Sequence, residues 1–166
     1  MNYFELFELE PGFQVDETHL RNNYYRLSRL YHPDLQNNDS DKSEALIRSG
    51  EINQAYRTLS SFDLRVPYFL TLSGYLNQDE KHSLAPDFLM EMMDYNDRIL
   101  EVTEEEERSA LKLEIEELHA QNKKMLEEKC LQFDAQKDPS LLNQVREYYH
   151  RGKYIHRLTQ QLIMDN

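Results

Sequence analysis

The sequence of 166 residues is poor in the residues that interrupt or cross-link a chain. It has four glycines, five prolines, one cysteine and no tryptophan. So few glycines and prolines predict few turns and long regular elements. The single cysteine, Cys130, excludes an intramolecular disulfide and a cysteine-rich zinc site, and it favours a reducing compartment. We expect its thiol to be a buried or half-exposed group on a helix.

Long apolar runs and positive charge are also scarce. No run approaches the ~20 apolar residues that a membrane-spanning helix requires, and the first residues do not resemble a signal peptide. The net charge is -12, because the chain has 31 acidic and 19 basic residues. Nucleic-acid binding needs basic side chains to neutralise phosphates. We therefore expect no binding to nucleic acid or membrane, and a location in the bacterial cytoplasm, or in the mitochondrial matrix for a mature eukaryotic chain.

The residues that are plentiful favour helices. Glu, Lys, Leu, Gln and Met are common, and no run is rich in β-branched residues, so the predicted class is all-α. Apolar periodicity and turn residues predict helices over about 3–7, 16–31, 42–59 and 63–73, and three more that begin near 86, 103 and 138. The polar segments between them, including 36–42, are predicted to be loops.

Several helix starts depend on capping arguments. Asp16 is expected to cap the second helix. Asn2 and Glu5 have the spacing of a capping box, and so do Thr103 and Glu106. The fourth predicted helix contains Pro67, which a helix tolerates best in its first turn. We therefore expect Asp63 to be the cap of that helix, with Pro67 in or just beyond its first turn.

The second predicted helix carries a basic face in this acidic protein. Residues 18–31 hold three arginines and no acid. At 100° per residue, one side of the helix carries Arg21, Tyr25, Arg26 and Arg29. The opposite, apolar side includes Leu20, Leu27 and Leu30. The tripeptide His32-Pro33-Asp34 follows, and its proline forbids continuation of the helix. A basic patch beside a fixed loop indicates a docking surface; the alternative is a solvated helix face.

A second candidate surface lies on the helix that begins near residue 86. Residues 88–94 hold more apolar side chains than one buried stripe can take, so part of the surface should be exposed, and methionines suit recognition. Acids follow beside it, at Asp94, Asp97 and Glu101. The alternative is that the methionines fill the core and the acids are simply solvated.

Four ordered segments carry a family resemblance: residues 2–7 (NYFELF), 31–34 (YHPD), 52–59 (INQAYRTL) and 88–91 (FLME). The first three resemble the J domain of Hsp70 co-chaperones. With the fourth, nearly the whole chain resembles the HscB family, the J proteins that serve iron–sulfur cluster assembly. The chain departs from that family at three positions. Glycine is usual in place of Glu8, and a basic or aromatic residue is often found in place of Leu35. Pro67 replaces a residue that normally lies inside the fourth helix.

The resemblance implies an L-shaped, all-α protein of two domains. Residues 1–75 would form a J domain, an antiparallel helical hairpin with short helices. Residues 76–84 would be a linker, and residues 85–166 an antiparallel three-helix bundle. It also implies a co-chaperone that is not an enzyme and has no cofactor or metal. The oligomeric state is open, and a monomer is the default expectation.

The same resemblance implies two partners. The first is a specialised, HscA-like Hsp70 whose ATPase the J domain stimulates. It would be bound by Arg21, Tyr25, Arg26, Arg29, His32, Pro33 and Asp34. The second is an IscU-like scaffold protein of iron–sulfur assembly. It would be bound by Leu89, Met90, Met93, Asp94, Asp97 and Glu101.

Two other interpretations remain. The bundle could serve a different client or form a dimer. A metal-dependent hydrolase built on His19, His32 and Asp34 is the other interpretation. No phosphate loop, nucleophile–base pair or metal-ligand spacing supports it.

Overall fold

The computed structural model describes residues 1–77 and 81–164, and within them it contains helices and no strand. The all-α prediction is therefore confirmed. The helices are α1 (Tyr3–Leu6), α2 (Glu17–Leu30), a 3-10 turn (Pro33–Leu35), α3 (Asp39–Ser60), α4 (Phe62–Leu72), α5 (Pro86–Glu101), α6 (Glu105–Gln136) and α7 (Pro139–Met164). None of the described helices is long and apolar enough to cross a membrane.

The chain divides into two compact units, Met1–Ser73 and Gly74–Asn166. The predicted limits of the two domains, at residues 75 and 85, stay a prediction. Of the predicted linker, residues 78–80 lie outside the described residues. Each unit has its own core, and the two cores differ in composition.

The core of the first unit combines aliphatic side chains with a cluster of phenylalanine rings. Phe4, Phe7 and Phe13 are fully buried, and the ring of Phe69 meets that of Phe13 edge-on at 4.8 Å between centroids. Helix α1 has only four residues, and an isolated helix of that length is unstable in water. The predicted capping box of Asn2 and Glu5 is confirmed. Large aromatic side chains let such a short element bury enough area to stay folded.

Helices α2 and α3 pack against each other and frame this core. As predicted, Asp16 caps α2. Helix α3 begins at Asp39, three residues earlier than predicted, because the Asn38 side chain accepts a hydrogen bond from the Asp41 amide. Its polar first turn had the composition of a loop, but acids are favourable at a helix N-terminus. Leu30, assigned to the apolar side of α2, is 58% exposed.

The predicted start of α4 is wrong. The helix begins at Phe62 with Ser61 as its cap, so Asp63 lies inside the first turn and Pro67 lies in the helix interior. The reason is a tertiary contact of buried Arg65. Its Nε donates to the Phe13 carbonyl at 2.8 Å, and its Nη1 donates to the Leu59 carbonyl. These bonds hold the chain helical directly after α3, at the cost of the hydrogen bond that proline cannot make.

The second unit is a bundle of α5, α6 and α7 with a mainly aliphatic core. Helix α7 packs on both α6 and α5. The buried cluster consists of Leu84, Phe88, Met92, Ile99, Leu111, Ile115, Ile155, Leu158 and Leu162. Cys130 is buried on α6, as predicted. Long helices bury such a stripe by periodicity alone.

The capping box predicted at Thr103 is also wrong. Glu104 occupies the cap position of α6 and makes no side-chain cap hydrogen bond. A side chain further along orders this end instead. Arg108 donates to the Leu162 carbonyl at 3.2 Å and to the Val102 carbonyl at 3.5 Å. A contact between α6 and the end of α7 therefore replaces the local cap.

Candidate docking surfaces

The tripeptide His32-Pro33-Asp34 forms a turn that its own hydrogen bonds hold. His32 is extended and caps the 3-10 turn, and its Nδ1 accepts a bond from the Asp34 amide at 3.2 Å. The Leu35 amide donates to the His32 carbonyl at 3.0 Å. The Asp34 side chain is 89% exposed. The turn thus presents a carboxylate outward from a fixed backbone.

Gln36 braces this turn, a role that the sequence did not predict. Its Nε2 donates to the carbonyls of Leu30 and His32, both at 3.2 Å, and its amide donates to the Pro33 carbonyl. Helix α2 ends at Leu30, so its last carbonyls lack helical partners. The side chain of Gln36 donates a hydrogen bond to one of these carbonyls, that of Leu30, and so ties the tripeptide to the end of α2. A glutamine in this place gives no distinctive sequence signal.

The predicted basic face of α2 points to solvent. Leu20, Asn23 and Leu27 are buried on the opposite side. The exposed face carries all four predicted residues, Arg21, Tyr25, Arg26 and Arg29. Within the part of the chain that the structure describes, Arg21 and Arg29 make no ion pair, whereas Arg26 is bonded to Glu8. The three arginines are therefore not equivalent.

The exposed face of α5 has an apolar part and an acidic part. Met90 and Met93 are 67% and 65% exposed, while Phe88, Met92 and Ile99 are buried. Leu89 is half-buried and packs against the core. All three predicted acids, Asp94, Asp97 and Glu101, are exposed. Five of the six predicted residues thus present their side chains to solvent, and Leu89 is shared between surface and core.

Leu100 belongs to the same face and was missed. It is 77% exposed, more than either methionine. It lies seven residues after Met93, which is two helical turns along one side of α5. The step of seven was the sequence signal that could have identified it.

The segment that enters α5 is tied to α7 by a pair of stacked histidines. The rings of His82 and His150 are 4.5 Å apart. Glu147 lies between two donors, His82 Nε2 at 2.9 Å and Arg151 Nε at 3.2 Å. Burial would raise the pKa of Glu147, but these two hydrogen bonds lower it. Burial, with the charge of His82 next, lowers the pKa of His150 to about 4. His150 is therefore a neutral structural residue, and His156 is exposed.

No group of three or more His, Cys, Asp or Glu side chains in residues 1–77 and 81–164 could hold a metal ion. His19, required by the hydrolase interpretation, is engaged elsewhere. Its Nε2 lies 3.1 Å from the Glu8 carbonyl oxygen and 2.9 Å from Asn23 Nδ2. The structure gives that interpretation no support.

Comparisons with known proteins agree with this architecture. The DnaJ domain family matches residues 2–68. The family described as the HSCB C-terminal oligomerisation domain matches residues 84–163. A J domain followed by this helical domain defines a class, the J-domain co-chaperones.

Curated relatives narrow the class to one family. A co-chaperone protein HscB homolog of Neisseria gonorrhoeae is 31% identical over 163 residues, 96% of each chain. A homolog of Acinetobacter baumannii is 36% identical over 117 residues, which are 70% of this chain and just under two thirds, 66%, of that protein. The chain belongs to the HscB family.

Solved structures share the fold. The chaperone HscB from Vibrio cholerae has a TM-score of 0.67 over 99% of this chain and 97% of its own. The human co-chaperone protein HscB has a TM-score of 0.73 over 99% of this chain and 82% of its own. Both are 24% identical to this chain, so they support the fold alone.

Proposed function

We propose that this chain is a two-site adaptor of iron–sulfur cluster assembly. Its first unit stimulates the ATPase of an HscA-like Hsp70, and its second unit brings an IscU-like scaffold protein to that Hsp70. The observation that carries the proposal is the fixed turn with the exposed Asp34 carboxylate, directly after a helix with an outward arginine face. ATP hydrolysis stays in the partner, and the chain is a regulator.

The first site acts by selecting one state of the Hsp70. A ligand shifts a conformational equilibrium only by binding one state more tightly than the other. Asp34 would pair with an arginine of the ATP state, and the guanidinium groups of Arg21 and Arg29 would pair with its carboxylates. Because the turn is already formed, little ordering cost opposes binding.

The second site acts through a mixed surface. Met90 and Met93 are flexible apolar side chains that adapt to a partner's shape. The acids beside them would favour a basic counterpart, and such charges contribute mainly to orientation and association rate. The expected partner surface is an apolar patch with basic residues at its edge.

Replacing His32 tests the first site. The substitution H32Q removes the imidazole that caps the turn, and it should abolish stimulation of the cognate HscA-like Hsp70 in an ATP-turnover assay. The matched control is H156Q, the same change at an exposed histidine of α7, which should stimulate like wild type. If H32Q also stimulates like wild type, the proposed role of the first unit is wrong.

Replacing the methionines tests the second site. The double substitution M90A/M93A should weaken binding of the cognate IscU-like scaffold at least roughly tenfold in calorimetry, since it removes two exposed apolar anchors. L113A is the control, because Leu113 is 66% exposed on α6. Unchanged binding heat would favour the alternatives, another client or a dimer. Sedimentation of the free chain distinguishes these two alternatives. A dimer would sediment as such, whereas a chain with another client should be the monomer that we expect.

A further inference from the structure

Glu8 has an unusual backbone conformation. Its φ is 56°, in the left-handed region that residues other than glycine seldom adopt. In the part of the chain that the structure describes, the only other non-glycine residue with positive φ is Lys137, which ends α6. A glutamate here accepts a conformational cost that glycine would avoid.

That side chain binds an arginine of the proposed Hsp70-binding face. Arg26 Nη2 donates to Glu8 Oε1 at 2.7 Å. Arg26 Nε donates to Asn23 Oδ1 at 3.2 Å, and buried Asn23 donates in turn to the Phe7 carbonyl at 2.7 Å. The two charged side chains are 51% and 63% exposed, so the ion pair lies at the surface, on the same face as Arg21 and Arg29.

We propose that Glu8 is an intramolecular competitor that lowers the affinity of the α2 face for an acidic surface of the Hsp70. The inference rests on the function proposed for the first unit. Arg26 Nε and Nη2, one side-on pair of donors, already bind Asn23 and Glu8. A partner carboxylate that binds this edge of the guanidinium must therefore displace the carboxylate of Glu8. An exposed pair is weak enough to be displaced, so the competition tunes affinity and does not prevent binding.

Two substitutions of Glu8 remove the competitor in different ways. E8Q keeps the length of the side chain and removes its charge. E8G removes the whole side chain, and with it the conformational cost of a left-handed backbone at a residue other than glycine. Both full-length variants should bind the ATP state of the cognate HscA-like Hsp70 roughly two- to fivefold more tightly than wild type, the range that an exposed ion pair corresponds to. The measurement is Kd at low and at physiological salt, and the gain should shrink at high salt.

A matched control separates local competition from overall charge. Glu51 pairs with Arg48 on α3 at 3.2 Å, and both are about half exposed. E51Q makes the same charge change away from the α2 face and should leave Kd within about 1.5-fold of wild type, a margin that corresponds to a few tenths of a kcal/mol.

A double-substitution cycle identifies Arg26 as the group for which Glu8 competes. In an R26A background, E8Q should no longer tighten binding, because no guanidinium remains to be released. The inference is overturned if E8Q and E8G bind like wild type or more weakly, since Glu8 would then be neutral or would position Arg26 for docking. It is also overturned if E8Q gains as much in the R26A background as in wild type.

These results separate the inference from the function on which it rests. If wild type stimulates the Hsp70 and H32Q does not, while the Glu8 variants match wild type, only the inference fails. If wild type neither binds nor stimulates the Hsp70, the proposed function fails, and the competition fails with it.

Discussion

The two units build their exposed sites by different means. In the first unit the site is a short turn that individual hydrogen bonds hold, from His32 and Gln36. In the second unit it is one side of a regular helix, α5, whose opposite side is buried in an aliphatic core. A site of the first kind depends on a few specific groups, and one substitution can remove it. A site of the second kind depends on exposed area, so it should weaken in steps.

The same contrast holds for the folded structures themselves. Helices α1 and α4 have 4 and 11 residues, whereas α6 and α7 have 32 and 26. Short helices need tertiary partners, and in the first unit buried Arg65 and a cluster of phenylalanine rings provide them. The long helices need fewer specific contacts, because periodic apolar residues suffice. Stability should therefore be concentrated in fewer groups in the first unit.

The largest effect is expected at Arg65. The substitution R65A leaves the buried carbonyls of Phe13 and Leu59 without this donor, which should cost about 2–4 kcal/mol of unfolding free energy. Hydrogen exchange of the full chain should show loss of protection within residues 1–73 and much less change in residues 81–164. R48A, at an exposed arginine of α3, is the control. Equal loss of protection in both units would contradict the assignment of Arg65 to the first core alone.

The bundle should show an acid-sensitive stability that depends on His150. Burial lowers the pKa of His150 to about 4, and the groups that face it are His82, Glu147, Arg146 and Lys153. Above pH 6.5 the side chain is neutral in both states. Between pH 6.5 and 4 the unfolded chain takes up a proton and the folded chain does not, so stability falls as the pH falls.

Urea denaturation at pH 7 and pH 4.5 measures this loss. His150 is partly exposed, so we expect its share to be about 1–2 kcal/mol, less than the full shift in pKa would give. The substitution H150F should abolish this part of the loss in unfolding free energy. The substitution H156F, at the exposed histidine, should leave the loss unchanged. Glu147 adds a loss of the same sign at lower pH, because its lowered pKa makes its contribution present above pH 4.5 and lost below it. An identical fall for H150F and wild type would refute the role of His150.

A smaller effect of opposite sign is expected at Pro67. Proline in a helix interior is about 3 kcal/mol less favourable than alanine, but proline also restricts the unfolded chain. P67A should therefore stabilise the first unit by about 1 kcal/mol, measured as a higher urea midpoint at unchanged slope. P139A is the control, since Pro139 is the first residue of α7, where proline is tolerated. A destabilised P67A would mean that the proline ring itself is needed by the core.

Local signals were enough for much of the fold. The caps at Asn2 and Asp16 and the exposure of Met90 and Met93 were all predicted, because each depends on residues within one or two helical turns. The predicted starts at Asp63 and Thr103 were wrong for one physical reason. Arginine side chains reaching across the fold, Arg65 and Arg108, decide where the neighbouring helices begin or end, as tertiary contacts commonly override local preference.

The candidate sites divide in the same way. The basic face of α2 and the tripeptide could be located because both are contiguous in the sequence. The pair of Glu8 and Arg26 could not, because it joins residues 18 apart through a left-handed backbone that the sequence does not reveal. The stacked pair of His82 and His150 is separated still further. Residues that modify a site are therefore harder to predict than the residues that form it.

The smallest predicted effect tests whether the α5 surface weakens in steps. L100A removes an exposed side chain two turns from Met93, at the edge of the apolar face, so scaffold binding should weaken only about two- to fourfold, the range of a peripheral contact. Calorimetry with the cognate IscU-like scaffold measures it, and L131A on α6, an exposed leucine, is the control. An L100A loss as large as that of M90A/M93A would mean that Leu100 lies at the centre of the interface. The surface would then depend on one anchor, as the tripeptide turn does, and the contrast between the two sites would fail.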